Sequence, residues 1–226
     1  MLEKWENIPD SMRNDTVRRY YNSLSKKENS LIIKRAFDIW MSVFLLFVLA
    51  PVFAVIAVMI KLDSQGPVIF RQTRVTAYNR DFTIYKFRSM VNEAPKLGTS
   101  VTVASDSRIT SVGAFMRKYR IDELPQLVNV LKGDMSFVGT RPEVRKYVDR
   151  YSPEMMATLL MPAGITSRAS IEYKDEDRLL SECDDVDETY VNEILPAKMR
   201  YNLRSVRNFS LLSDVVTMIK TVIAVL

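Results

Sequence analysis

The chain has 226 residues, a single cysteine (Cys183) and no histidine. These counts exclude a disulfide framework, a multi-cysteine zinc site, histidine triads and zincin chemistry, so any acid, base or nucleophile is a carboxylate, lysine, tyrosine, serine or the lone thiol. The 32 basic and 27 acidic residues leave a net charge of +5, which favours anionic partners such as lipid headgroups, phosphates or nucleic acid without choosing among them.

Residues 1–33 are polar and mixed in charge, with Arg13, Arg18, Arg19, Lys26 and Lys27 set among Tyr20 and Tyr21. They read as a helical N-terminal extension. No apolar h-region follows within the first thirty residues, so a signal peptide is not expected. From Ile39 to Ile60 runs a stretch of 22 residues without a charge. As one helix it is long enough for a bilayer core of about 30 Å. Ala50-Pro51 interrupts it near the middle, leaving arms of roughly 18 and 15 Å at ~1.5 Å per residue. Both flanks are basic, with Lys34 and Arg35 before and Lys61, Arg71 and Arg74 after. Two basic flanks favour a segment that enters and leaves by one face, a re-entrant helix over 34–61 kinked at Pro51. A straight span with a tolerated proline is the alternative.

Beyond Lys61 the pattern changes. Gly66-Pro67 marks a turn; residues 67–72 and 81–88 read as short strands joined at Ala77-Tyr78-Asn79-Arg80. Ile109, Val112, Phe115 and Met116 have helical spacing within 107–119, and a second helix spans 124–131, stopped by Gly133. Residues 153–161 suit a third. The acidic stretch from Glu172 to Glu188 reads as a solvated face and loop. The apolar C-terminus, 209–226, suits an interfacial helix, or else a core or oligomer contact. The expected fold class is therefore α+β and mostly helical. It combines the re-entrant helix, a compact catalytic domain over 62–208 with a small β-hairpin, and interfacial amphipathic helices.

The segment Arg120-Ile121-Asp122-Glu123-Leu124-Pro125-Gln126 is the most suggestive for chemistry. Pro125 suits a first helical turn, which places Asp122 and Glu123 at a helix N-terminus, where the dipole holds carboxylates ionised. Acidic residues are favoured in any first turn, so the motif alone does not make a site. Phosphate chemistry needs cations beside such a pair, and four are available. Lys86 and Arg88 lie two apart on a strand, on one face. Arg117 lies one to two turns before Asp122. Arg141 is forced towards an extended backbone by Pro142, with Gly139 permitting a close approach. No Walker or Rossmann glycine pattern is present. A Mg²⁺ ion held by Asp122 and Glu123 with a diphosphate fits the residue types.

At this point the chain resembles the monotopic phosphoglycosyl transferases, the bacterial sugar transferase family. The likeness is carried, in order, by Lys34-Arg35-Ala36-Phe37-Asp38, Gly66-Pro67-Val68-Ile69-Phe70-Arg71-Gln72 and Lys86-Phe87-Arg88-Ser89-Met90. It continues through Asp106-Ser107-Arg108-Ile109-Thr110, Ile121-Asp122-Glu123-Leu124-Pro125-Gln126, Leu131-Lys132-Gly133-Asp134-Met135-Ser136, Gly139-Thr140-Arg141-Pro142 and Gly164-Ile165-Thr166. The resemblance implies a re-entrant helix in the bacterial inner membrane, with the active site on the cytoplasmic face. It implies a UDP-sugar donor, a polyprenol phosphate acceptor and Mg²⁺. It also implies a ping-pong mechanism in which Asp122 is the nucleophile and Glu123 binds metal or handles protons. Lys86, Arg88, Arg117 and Arg141 would hold phosphates. The sugar would be read after Gly164, by Thr166, Ser167, Arg168 and the 172–177 segment. Nucleic acid is not an expected partner, and a homo-oligomer is compatible with the pattern. Ala50-Pro51 stands where the family usually has Ser-Pro, and the turn at 74–80 lacks the usual glycines. Two other readings use the same features: a membrane-anchored basic domain that binds lipid or nucleic acid, and a Mg²⁺-dependent diphosphate hydrolase.

Overall fold

The computed structural model describes residues 2–91, 106–174, 176–181, 183 and 185–225. Asp175, Glu182 and Asp184 of the acidic stretch lie outside these, as does Leu226. Mostly helical with two small sheets, the chain is α+β as its patterning indicates.

The first 25 residues are more than an extension. Two short 3-10 turns precede α1 (Asp15–Ser25), whose N-cap Asn14 side chain accepts a hydrogen bond from Val17 N at 2.9 Å. Ile8, Met12, Val17 and Leu24 are buried in one core with Leu159, Leu160, Val206 and Phe209. The N-terminus therefore packs against the same centre as the far end of the chain.

The next helix, α2 (Glu28–Val48), begins before residue 34, and α3 (Ala50–Asp63) follows after a single residue, Leu49. The two axes bend by 61°. Pro51 lies in the first turn of α3 and has no N–H for the preceding carbonyls, which is the physical cause of the break. The bend forms with Ala50 where a serine was usual. No single described helix is long and apolar enough to cross a membrane, but the bent pair passes that test together.

Helix α2 is polar on its inner side and apolar on its outer side. Lys34, Asp38 and Ser42, spaced by four, are buried, whereas Trp40, Phe44 and Phe47 face outwards, Phe47 at 82% exposure. Lys34 Nζ pairs with Asp214 (2.6 Å), and Asp38 Oδ1 accepts from Phe137 N (3.3 Å). Arg35 donates to the carbonyls of Val130 (2.6 Å) and Leu131 (2.8 Å). On α3, Val55, Val58 and Leu62 continue the apolar outer surface.

Strands β1 (Ile69–Thr76) and β2 (Arg80–Phe87) pair antiparallel, from Ile69 opposite Phe87 to Thr76 opposite Arg80. The connection is a 3-10 turn in which Tyr78 and Asn79 both have φ of 57°, the conformation that glycine would otherwise supply. Arg145 secures it by donating to the Asn79 side chain (2.5 Å) and carbonyl (3.0 Å).

After α4 (Ser111–Lys118) and a 3-10 turn at Ile121–Glu123, α5 (Gln126–Lys132) ends at Gly133, whose φ of 91° makes the left-handed cap. Buried Asn129 docks α5 on the free edge of β2: its amide accepts from Tyr85 N (3.0 Å) and donates to Thr83 O (2.7 Å). The side chain completes the hydrogen bonding that a third strand would otherwise provide.

A second sheet goes beyond the expected hairpin. Strands β3 (Met135–Val138) and β4 (Ala163–Thr166) pair in parallel, and Gly139 lies directly against Gly164; a methyl group on either would overlap the other's backbone or its neighbours. Between them come α6 (Arg145–Val148) and a 3-10 segment, Met155–Leu160, where an α-helix was expected. The acidic stretch is structured rather than an open loop. It contributes α7 (Arg168–Glu172), α8 (Glu176–Ser181) and α9 (Val186–Thr189), and a π turn at Tyr190–Ile194 leads into α10 (Leu195–Arg207). Asp187 is paired with Lys146 (2.6 Å) and with the Tyr147 hydroxyl (2.5 Å), whereas Glu172, Asp185 and Glu188 are exposed. The last helix, α11 (Leu211–Val225), buries Thr217 and exposes Leu212, Ile219, Val222 and Ile223.

Replacing Asn129→Leu strands one N–H and one carbonyl on β2. The expected loss is of order 1–3 kcal/mol for each unsatisfied group, read as a lower denaturant midpoint. An unchanged midpoint would show that α5 is held on β2 by other contacts.

Candidate active site

The turn Ile121–Glu123 places two carboxylates side by side indoors, since Asp122 and Glu123 are each 6% exposed. Arg120, at φ 55° and ψ 21°, turns the chain sharply out of α4 before it. A non-glycine residue in this region costs about 1–2 kcal/mol, and such strain recurs at functional sites. The pair thus occupies its own 3-10 turn ahead of α5, not the first turn of that helix, and Pro125 is the α5 N-cap. The dipole of α5 is therefore not what holds the carboxylates.

Cations from distant elements do that. Arg141, in the loop after β3, grips Glu123 with both terminal nitrogens: Nη2 donates to Oε1 and Nη1 to Oε2 (3.2 Å). Lys86 of β2 donates to Oε1 at 3.0 Å, and Arg120 Nη1 lies 4.0 Å away. Burial pushes the Glu123 carboxyl up, but Arg141 and Lys86 outweigh it and hold the group well below the usual carboxylate range. Asp122 moves the opposite way. Burial, and then the charge of Glu123, push its carboxyl up, while Lys86, Arg117 and Arg120 pull it back. Adjacent acids are thereby separated into a fixed anion and a poised one. Burial also lowers the Lys86 ammonium, against the pull of Glu123.

Arg88, just beyond β2, is buried against the end of α3. Its Nη2 donates to Ser64 O (2.7 Å), Ser64 Oγ (3.0 Å) and Ile60 O (3.3 Å). Its Nε and Nη1 have no hydrogen-bond partner among the described residues. Buried guanidinium donors without acceptors suit an anion. Arg117 comes from the last turn of α4, which Gly113 seats against the Ser89 carbonyl without room for a side chain.

Asp122, Glu123, Lys86, Arg88, Arg117 and Arg141 all line one cavity of about 1020 Å³, and Arg120 lines it too. Arg120 stands two residues before Asp122, so its proximity to the pair is a local signal in the sequence. Thr166 also lines the cavity, but its hydroxyl is bonded to Thr221 of α11 (2.6 Å). Arg168 does not line it: Nη2 donates to Ser213 of α11 (3.2 Å). Ser167 caps α7 through Ser170 N (2.9 Å). The described residues hold no group of three or more histidine, cysteine or acidic side chains close enough to cage a metal. The Asp122–Glu123 pair fits Mg²⁺ only in that ion's usual manner, with one or two carboxylates and the rest of its shell from phosphate and water.

The pattern described as Bacterial sugar transferase matches residues 29–226, and the chain belongs to that family. Curated relatives include the UDP-N-acetylgalactosamine-undecaprenyl-phosphate N-acetylgalactosaminephosphotransferase of Aeromonas hydrophila, 40% identical over 86% of this chain and 44% of its own length. The UDP-glucose:undecaprenyl-phosphate glucose-1-phosphate transferase of Escherichia coli is 36% identical over 84% of this chain and 39% of its own. The undecaprenyl-phosphate galactose phosphotransferase of Salmonella typhimurium is 32% identical over 92% and 43%. The chain spans less than half the length of these three relatives.

At neutral pH, Glu123→Gln leaves Lys86 and Arg141 buried against a neutral amide. Breaking a buried pair costs roughly 3–5 kcal/mol, so the melting temperature should fall. Because the folded-state pKa of Glu123 is depressed, its ionisation stabilises the fold above the unfolded value of about 4.3. That contribution is lost as pH falls through the folded value. The gap in melting temperature between parent and variant should therefore close in acid; a gap constant down to strongly acid pH would refute the assignment.

Proposed function

We propose that the chain transfers a sugar-1-phosphate from a UDP-sugar to a polyprenol phosphate through a covalent intermediate on Asp122. The observation that carries this reading is the buried acid pair, with one member neutralised by Arg141 and Lys86 and the other left poised among cations. Family membership and the reactions named for its relatives support the donor and acceptor classes.

In the first half-reaction an Asp122 carboxylate oxygen attacks the β-phosphorus of the donor. The bond from that phosphorus to the bridging oxygen breaks, and UMP leaves with the electron pair. In the second, an oxygen of polyprenol phosphate attacks the same phosphorus and frees the Asp122 carboxylate, forming a polyprenyl diphosphate sugar. Lys86, Arg88 and Arg117 offset the charge of the diphosphate, which bare carboxylates would repel. Arg141 holds Glu123 in place and lines the same cavity. Asp122 and Glu123 would hold Mg²⁺ together with the diphosphate, where the ion supplies charge neutralisation.

The bent α2–α3 pair and the apolar face of α11 are read as the membrane contact, re-entrant from one face, with the dyad on the cytoplasmic side. An exposed apolar surface of this extent marks a membrane or protein partner. It brings a lipid-borne acceptor to a polar cavity that residues of α2 and α11 also line, namely Leu45, Thr221 and Ala224.

With detergent-purified protein, Asp122→Asn should abolish UMP release from UDP-sugars, whereas a variant that retained most of its turnover would exclude the covalent step. Release that proceeds fully without polyprenol phosphate would favour a hydrolase instead. Tags at both ends of the chain should report the cytoplasm, and a periplasmic signal from the N-terminal tag would rule out re-entry. The rate profile should show an acid limb, because Asp122 must be ionised to attack and burial and Glu123 push its carboxyl up. Lys86→Met removes a positive neighbour and should move that limb to higher pH; Glu123→Gln removes a negative one and should move it lower. Limbs that do not separate in this order would assign the titration to another group.

A further inference from the structure

The cavity has a second polar wall that the dyad does not touch. Lys198 of α10, 4% exposed, donates to Glu176 Oε2 of α8 (2.8 Å) and to the Tyr190 hydroxyl oxygen (3.2 Å). The Tyr190 hydroxyl in turn donates to Glu143 Oε1 (2.5 Å). Arg74 of β1 lies 3.9 Å from Glu143 Oε2 and donates to Pro142 O (3.3 Å). All five side chains line the same cavity as Asp122 and Glu123. Glu143 is two residues from Arg141, so the two walls adjoin.

Stability does not account for this wall. Charged groups taken out of water gain little over apolar side chains of similar size. What the network does provide is a rigid set of donors and acceptors facing a cavity, each fixed by its neighbours. Its charge also differs from that of the dyad end. There the cations outnumber the carboxylates, as a diphosphate requires. Here the two cations of the network, Arg74 and Lys198, are already met by its two carboxylates, Glu143 and Glu176, while Lys174 lines the cavity beside them. Cations neutralised within the wall offer phosphate little, and the fixed donors and acceptors suit an uncharged group rich in hydroxyls. Tyr173, beside it on the cavity wall, adds an aromatic ring for the apolar face of such a group.

We propose that this wall reads the hydroxyls of the neutral sugar ring of the donor, with Glu176, Lys198 and Tyr190 as the residues that set sugar specificity. The inference rests on the donor reading above and deepens it. The ribose of the nucleotide is also a hydroxylated ring, so the test separates the two.

UMP release by the full chain in detergent, with polyprenol phosphate present, is measured across UDP-N-acetylgalactosamine, UDP-N-acetylglucosamine, UDP-glucose and UDP-galactose, and inhibition by UMP is measured in parallel. The variants are Tyr190→Phe, Glu176→Gln and the charge-balanced Glu176→Gln/Lys198→Met, the last chosen because it removes the Lys198–Glu176 ion pair whole. On the best donor, kcat/KM should fall on the order of tenfold or more, the loss of a hydrogen bond to a charged group. The preference among the four sugars should flatten, and the inhibition constant of UMP should stay within about twofold. Unchanged sugar ratios in folded variants, with only the melting temperature lowered, would overturn the proposal and make the network structural. A UMP inhibition constant that rises by the same factor would also overturn it and assign the wall to the nucleoside. A parent chain that releases UMP from no UDP-sugar would instead defeat the donor reading, a failure visible before any variant is made.

Discussion

Two adjacent carboxylates in a buried turn repel one another and resist leaving water, and the structure solves that problem with imported positive charge. None of the cations that contact Glu123 most closely is on its own element. Lys86 comes from β2, and Arg141 from the loop after β3. The remaining architecture around the site serves to bring these pieces together. Asn129 fastens α5, and with it the dyad turn, to the edge of β2, while the contact between Gly139 and Gly164 draws β3 and β4 close enough to aim the Arg141 loop. The fold is, in this sense, an arrangement for placing three chain segments around one carboxylate.

The two acids are distinguished by their surroundings, not by residue type. Glu123 receives a bidentate guanidinium and an ammonium, and its charge becomes part of the framework. Asp122 is left with burial and a negative neighbour, both of which raise its carboxyl. Fixing one anion thus creates the environment of the other. Two carboxyls of ordinary type are thereby pushed in opposite directions within one turn, without any histidine in the chain.

Much of the site was legible in the sequence because its signals are local. The hairpin follows from two β-rich runs around a turn, the bend from Pro51, the end of α5 from Gly133, and the cavity-lining cations from strand alternation at Lys86 and Arg88 and from Pro142 beside Arg141. The features that were not legible depend on long-range packing. Four-residue strands such as Met135–Val138 and Ala163–Thr166 are too short to show a period, so their parallel pairing has no sequence signature. The N-terminal residues read as polar on average, yet Ile8, Met12, Val17 and Leu24 complete a core whose other members are Val75 and residues from Val148 to Phe209. Arg168 sits next to a family motif, but its orientation is decided by α11 and Ser213. Glu172, Asp185 and Glu188 are exposed as their composition suggests, whereas the pairing of Glu176 and Asp187 is set by Lys198, Lys146 and Tyr147, which are distant in the chain.

The buried polar stripe of α2 has a geometric consequence. Lys34, Arg35 and Asp38 bind three different parts of the body: α11, the end of α5 and β3. Because α5 carries the dyad turn at its other end, the outward apolar surface of α2 and the carboxylates are the two ends of one stiff strut. Whatever surface that apolar side rests on, the Asp122–Glu123 pair stands at a set height above it. Reach is thereby built into the scaffold, which holds the two carboxylates at one distance from that side.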